Sequence, residues 1–326
     1  MTWKTIIILL VLAMSVKAVD AVNLNSTEQL GSPAMRDMIY DTTNTIIYYV
    51  GDSGLFAWHN HSTNGTISLS SRFVANWLVT DPISAVENDN INNIIFIGAD
   101  SGKYGWYNIS TNSTQDLSSS DIGNWIATEN IIDAGFDKTS SILYIVGSGG
   151  IFGAYNLSSN STIDLRSTDI SNWIGLTDLK VVKHNSLNDI IYIAGSSGKF
   201  GWYNKSTNST IDLSSTDTNN FFGVQGISAI EVDTSNNLVY FGGGSGLFGA
   251  YNISSNSTVL LDNVAWIDAQ TINKFMYDNA TNQSYLVGTS GLFGVYNRTS
   301  NYTTALTTTD PADWIGAGAL KALAFD

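Results

Sequence analysis

The 326-residue chain carries 14 Lys and Arg against 28 Asp and Glu, a formal net charge of −14, with 43% hydrophobic, 11% aromatic and only 13% charged residues. An acidic chain without a basic patch lacks the electrostatic footprint that holds phosphate backbones, which argues against nucleic acid as a partner. Cysteine is absent, so thiol chemistry, Cys-ligated zinc and iron–sulfur sites drop out, and a secreted eukaryotic domain's usual disulfides are missing, which points to a prokaryotic source.

Residues 1–21 read as a signal peptide. Lys4 supplies a small positive charge, Ile6 to Met14 an apolar run of nine, and a small-residue site follows, with cleavage after Ala18 or Ala21. Nine apolar residues are too few to cross a bilayer core of about 30 Å as a helix. No other run approaches that length, so residues 22–326 are expected as one secreted domain with no transmembrane segment in the mature chain.

A repeat organises this domain. The unit Ser/Gly-Gly-x-aromatic begins at Ser53, Ser101, Gly149, Ser197, Ser245 and Ser290, with spacings of 48, 48, 48, 48 and 45. A period of about 40–50 residues, built of short apolar runs between Gly and Asn turns, is the signature of propeller blades. The expected fold is therefore all-β, a β-propeller of six complete four-stranded blades of about 48 residues.

Within each repeat an inner strand a ends on an Asp or Asn (Asp41, Asp89, Asp137, Asn185, Asp233, Asp278), and an Asx-rich turn follows. Strand b is rich in β-branched and aromatic residues: 46–50, 94–97, 142–146, 190–194, 238–241 and 285–287. The Ser-Gly turn leads into strand c, which carries Phe56, Tyr104, Phe152, Phe200, Phe248 or Phe293 two residues after the glycine. A glycine comes next at 105, 153, 201, 249 and 294, with Ala57 in the first repeat, which suggests close approach by a neighbour. Strand d is the Ser-Thr-Ile-Asp-Leu type of segment, 209–213 in the fourth repeat.

Two fragments lie outside the six repeats. Asn25 to Leu30 matches a strand d, and Leu320 to Asp326 matches a strand a. Either the ring has six blades with these as spare edge strands, or they are parts of a seventh blade; the second fits the arithmetic better and leads to the expectation that further chain supplies its b and c strands. With the motif Gly-x-Ser-Gly-x-Phe-Gly-x-Tyr-Asn followed by a Thr-x-x-Leu strand, residues 22–326 resemble the repeats of secreted prokaryotic, archaeal β-propellers. Such repeats specify architecture and leave activity open.

Three sets of residues are candidates for function. The first is an aromatic series after strand d, Trp77, Trp125, Trp173, Phe221, Trp266 and Trp314, which serves either as wedges between blades or as stacking platforms for a ligand. A ligand would then approach the face of the Ser-Gly turns and Trp loops. The second is a set of Asn-x-Ser/Thr sequons. Each repeat has a pair after strand c, at Asn60 and Asn64, Asn108 and Asn112, Asn156 and Asn160, Asn204 and Asn208, Asn252 and Asn256, and Asn297 and Asn301; three more lie at Asn25, Asn279 and Asn282. In an antiparallel blade all of these fall on the face of the a–b and c–d turns, as N-glycosylation of one exposed side would require. The residue between Asn and hydroxyl varies from repeat to repeat (His61, Ile109, Leu157, Lys205, Ile253, Arg298).

The third set is Glu87, Lys183 and Glu231, which share one offset in strand a and are expected to line the central channel. No cluster of His and carboxylates breaks the repeat: His59 and His61 belong to the first repeat and His184 to the fourth. The Asp-x-x-x-Asn turns change their ligand set from blade to blade, which argues against calcium, and no metal or cofactor is expected. The reading is a secreted, N-glycosylated module that recognises a protein or glycan at the cell surface; the alternative is a secreted carbohydrate-active hydrolase or lyase.

Overall fold

In the computed structural model the described residues are 34–60, 62–63, 65–70, 77–78, 80–121, 124–169, 171–214, 223–261, 267, 269–278, 280–306 and 319–323. They form a six-bladed β-propeller of four-stranded antiparallel sheets. Blade 1 is β1 (Met35–Asp41), β2 (Ile46–Gly51), β3 (Leu55–Asn60) and β4 (Gly65–Ser68). Blade 2 is β5 (Ile83–Asp89), β6 (Ile94–Ala99), β7 (Tyr104–Asn108) and β8 (Ser113–Asp116). Blade 3 is β9 (Ile131–Asp137), β10 (Ile142–Gly147), β11 (Phe152–Asn156) and β12 (Ser161–Asp164). Blade 4 is β13 (Leu179–Asn185), β14 (Ile190–Gly195), β15 (Phe200–Asn204) and β16 (Ser209–Asp212). Blade 5 is β17 (Ile227–Asp233), β18 (Leu238–Gly243), β19 (Phe248–Asn252) and β20 (Ser257–Leu260). Blade 6 is β21 (Ile272–Asp278), β22 (Gln283–Gly288), β23 (Phe293–Asn297) and β24 (Tyr302–Ala305).

The turns follow from their residues. In the a–b turns Asp41, Asp89, Asp137 and Asp233 are buried, and a carboxylate oxygen of each accepts one or two backbone N–H bonds from the residues two or three places on. This is the Asx turn, in which the side chain satisfies backbone donors that the strand has left behind. In the b–c turn Ser53 and Gly54 both take positive φ, 55° and 69°, and the same pair recurs at Ser101, Ser197, Ser245 and Ser290. Two consecutive left-handed residues give a turn whose twist matches that of the strands.

The core lies between the blades rather than within them. Tyr48, Val50 and Phe56 of blade 1 cluster with Val86, Ile95, Ile97 and Tyr107 of blade 2, and the arrangement repeats around the ring. Across the five seams from blades 1–2 to blades 5–6 a strand-c aromatic meets the next blade's tyrosine edge-on: Phe56–Tyr107 at 5.5 Å, Tyr104–Tyr155 at 6.1 Å, Phe152–Tyr203 at 5.6 Å, Phe200–Tyr251 at 5.7 Å and Phe248–Tyr296 at 5.2 Å. Each blade thus supplies half of two cores, and only stacking buries them.

The fragment 319–323 lies beside blade 6, where the Leu320 N–H donates to the Gly288 carbonyl at 2.8 Å and Asn273 Nδ2 donates to the Leu320 carbonyl at 2.7 Å. Residues 25–30 and 324–326, on which the expectation of a seventh blade rests, fall outside the described residues, as does the expected signal peptide.

Candidate functional site

Trp77, Trp125 and Trp173 are 5–7% exposed. Each ring edge rests on the strand-c glycine of the next blade: a Cβ built on Gly105, Gly153 or Gly201 would meet the Trp Cη2 at 2.5, 2.3 or 2.6 Å. These three rings sit as wedges between blades. The loops of Trp125 and Trp173 are held by the Asp four residues earlier. The backbone N–H groups of Trp125 and Ile126 donate to Asp121, and those of Trp173 and Ile174 to Asp169, over 2.9–3.3 Å. Asn124 and Asn172 sit at φ 52°, a turn conformation that asparagine tolerates. Phe221, Trp266 and Trp314 lie outside the described residues.

The channel holds more charge than the sequence offset indicates. All six a–b pairs have a register break near their start, between the first and third residues of the inner strand. The third position contributes Asp37, Asp133 and Lys274, and the fifth contributes the expected Glu87, Lys183 and Glu231. Lys274 Nζ lies 2.9 Å from Asp37 Oδ1 and 3.9 Å from Asp133 Oδ1, so one ammonium links blades 6, 1 and 3 across the axis. Lys183 Nζ is 3.7 Å from Glu231 Oε2. Asp37 and Asp133 also accept the backbone N–H groups of Val86 and Val182 in the following blade.

Four carboxylates therefore face two ammonium groups in this cluster. Burial raises the Asp133 and Glu231 carboxyls, while Glu231 raises the Lys183 ammonium. Glu87 has no ion pair within 4 Å among the described residues. Loss of water pushes its carboxyl up to about 7, against the pull of Lys183. The folded protein thus holds a proton that the unfolded chain releases near pH 4.5. The associated stability is complete below that pH and is lost as the pH rises through 7. Glu87→Gln is therefore expected to match the wild-type melting temperature at pH 5 and exceed it at pH 8. The gain should be about 1–3 kcal/mol after allowance for water in the channel, and a pH series of thermal melts reads it.

The seams contain a pattern that the sequence did not expose. In blades 2 to 6 the residue between Asn and hydroxyl in the first sequon of the pair reaches into the gap between two blades. Ile109, Leu157 and Ile253 pack into seams whose other wall is Trp58, Trp106 or Trp202. Where that wall is Ala154 or Ala250, the filler is Lys205 or Arg298, which reaches the buried Asp137 or Asp233 of the preceding blade. This residue is constrained by its seam, contrary to the free variation its sequence suggests. The Trp58, Trp106 and Trp202 series was missed because it differs from the repeat in half the blades.

Asp137, His184 and Asp189 form the one group of metal-ligand type among the described residues. Lys205 Nζ already sits 2.6 Å from Asp137 Oδ2 and 3.3 Å from Asp189 Oδ1. Burial lowers the His184 pKa, and the Asp137 carboxyl, which burial would raise, is held below the usual range by Lys205, His184 and Ser140. The site is a lysine-neutralised ion cluster.

The two sequons of each pair differ in their local structure. Oδ1 of the first Asn (60, 108, 156, 204, 252, 297) accepts backbone N–H groups of the turn at 2.8–3.1 Å. The second Asn (112, 160, 208, 256, 301) sits at φ 51–52° and accepts the hydroxyl of Tyr107, Tyr155, Tyr203, Tyr251 or Tyr296 at 2.8–3.0 Å. In all these residues Nδ2 donates to no acceptor among the described residues. The second hydroxyl starts strand d, and Thr114, Thr162 and Thr303 are buried. The first hydroxyl (Ser110, Ser158, Ser206, Ser254, Thr299) is exposed and its side chain makes no hydrogen bond among the described residues. Asn25, Asn64 and Asn279 lie outside those residues. Asn282 repeats the second arrangement in an a–b turn, accepting the Tyr277 hydroxyl at 3.0 Å.

No protein-family model and no curated protein matches the sequence. Among solved structures, a chain of the mitotic checkpoint complex aligns with a TM-score of 0.61 at 10% identity, covering 83% of this chain and 76% of that one. The extracellular domain of a putative one-component system from B. thetaiotaomicron aligns with a TM-score of 0.63 at 13% identity, covering 85% of this chain and 34% of the other. At these identities the likeness establishes the propeller fold. Among the described residues no helix is long and apolar enough to cross a membrane.

Proposed function

We propose that the protein is a secreted, N-glycosylated β-propeller that acts as a cell-surface binding or structural module. The observation that carries this reading is the first sequon of each pair. In blades 2 to 6 its hydroxyl has no hydrogen-bond partner among the described residues, while Ser62 of blade 1 lies 3.3 Å from Thr45 Oγ1; Ser or Thr stands there in every repeat, beside an Asn whose amide nitrogen donates to none of the described residues. A turn would accept Gly, Asp or Asn at that place; a glycosylation acceptor needs the hydroxyl. The second Asn is a weaker argument, since its left-handed backbone and its tyrosine bond already favour asparagine. The structural neighbour that is an extracellular domain and the neighbour that is part of a protein complex fit the same reading.

Peptide mapping of protein made in its own host tests the proposal. Glycans are expected on Asn108, Asn156, Asn204 and Asn252, and replacing Ser158 by Ala should remove the glycan from Asn156 without changing the melting temperature. Bare asparagine at every paired position would refute it. The alternative, a secreted carbohydrate-active enzyme, is favoured by one observation, the Glu87 carboxyl poised near 7 inside the channel. A carboxyl in that range is suited to general acid catalysis. Polysaccharide cleavage abolished by Glu87→Gln would establish it.

A further inference from the structure

The seam between blades 2 and 3 opens into a cavity of about 610 Å³, within the range of small-ligand sites. One wall is apolar: Trp106, half-buried, with Leu157 and Tyr155 of the next blade. Apart from Ile94, the rest is amide and hydroxyl, including Asn92, Gln115 and Asn160. No charged side chain lines it, in a chain that carries 28 carboxylates and 14 Lys and Arg. We propose that this cavity binds a neutral saccharide, with a pyranose face stacked on Trp106 and its hydroxyls bonded by the amides of Gln115, Asn92 and Asn160.

Three observations carry the assignment. Two of the three amides, Asn92 and Asn160, are fixed in orientation. Asn92 Nδ2 donates to Asp89 at 2.6 Å, leaving its oxygen to accept, while Asn160 Oδ1 accepts the Tyr155 hydroxyl at 2.8 Å, leaving its nitrogen to donate. A fixed acceptor and a fixed donor beside an aromatic ring match the alternating hydroxyls and C–H face of a sugar. An uncharged lining leaves a phosphate or carboxylate ligand without its counter-charge. Finally, Gln115 breaks the repeat: the equivalent residues are Ile67, Ile163, Ile211, Val259 and Thr304. The sister seams with Trp58 and Trp202 present the exposed side chains of Ile67 and Ile211 at that place and so lack the amide.

The cavity opens on the face of the sequon turns rather than on the opposite face that the Trp loops had suggested. The saccharide therefore has two possible sources, a free glycan or the sugar carried by Asn160 itself. This inference rests on the surface-module reading and gives its binding site.

The test is calorimetric titration of protein made in a host without N-glycosylation, using cellotriose, chitotriose, mannotriose and maltotriose. At least one is expected to bind, and Trp106→Ala and Gln115→Ile should each weaken it about tenfold or more. Both substitutions install residues that other blades of this chain already carry there (Ala154 and Ala250; Ile67, Ile163 and Ile211), so the fold should persist, as a thermal melt checks. Host-made protein separates the sources. If the Asn160 glycan fills the cavity, the added trisaccharide is excluded until Thr162→Val removes that sequon; if the ligand is free, host-made and bare protein bind alike. Absence of binding for all four sugars, or binding that neither substitution weakens, overturns the proposal. Cell-surface binding unaffected by Trp106→Ala would then leave the module reading standing without this site.

Discussion

Replacing Trp125 or Trp173 by alanine is expected to destabilise the propeller by about 3–5 kcal/mol, as for other fully buried aromatics. The ring is sealed between blades, with its edge on Gly153 or Gly201, and no smaller side chain can span that gap. The converse substitution should be equally informative. A methyl group on Gly153 would lie 2.3 Å from Trp125 Cη2 and 2.6 Å from the Ile163 carbonyl, so Gly153→Ala must displace the ring or strand d. Denaturant titration of each variant reads the loss. A melting temperature left unchanged by both Trp substitutions would contradict the wedge geometry.

The second large effect concerns Lys205. Its ammonium neutralises Asp137, whose side chain is fully buried. Lys205→Ala strands that carboxylate and is expected to cost about 3 kcal/mol. The sign of the pH dependence follows from the depressed Asp137 pKa. The pair contributes stability above the usual carboxylate range, and that contribution disappears as the pH falls through the folded value. The deficit of the variant should therefore narrow on acidification, where its stranded carboxyl takes up a proton. The seam of blades 2 and 3 shows how the chain manages without the lysine. There Asn92 Nδ2 bonds Asp89, while Trp106 and Leu157 take the places that Ala154 and Lys205 hold in the next seam. Combining Lys205→Leu with Ala154→Trp and Ser140→Asn should therefore recover most of the lost stability. A triple variant no better than Lys205→Ala would show that the two seam types are not interchangeable.

These cases mark what the sequence disclosed. The strands, the Asx turns and the Ser-Gly turns were legible because each depends on residues within a few positions of one another. The sequon series was legible for the same reason. The partnership of Trp106 with Leu157, or of Ala154 with Lys205, joins positions 51 apart in the chain. It becomes visible only when the seam shows that they touch. The channel cluster is further removed: Lys274 and Asp37 are 237 positions apart. The shared offset found Glu87, Lys183 and Glu231, but the other half of the cluster comes from residues two places earlier. Gln115 stands on an outer strand where other blades have Ile, and only the cavity beside it gives that departure a meaning.

The proposed role, binding through the propeller surface, is tested most directly by saturable binding of the labelled protein to isolated cell envelopes of its host. The account predicts saturation and reversible release, with the envelope polysaccharide and protein left intact after prolonged incubation. Binding that never saturates, or release of cleaved polysaccharide that Glu87→Gln abolishes, would contradict it.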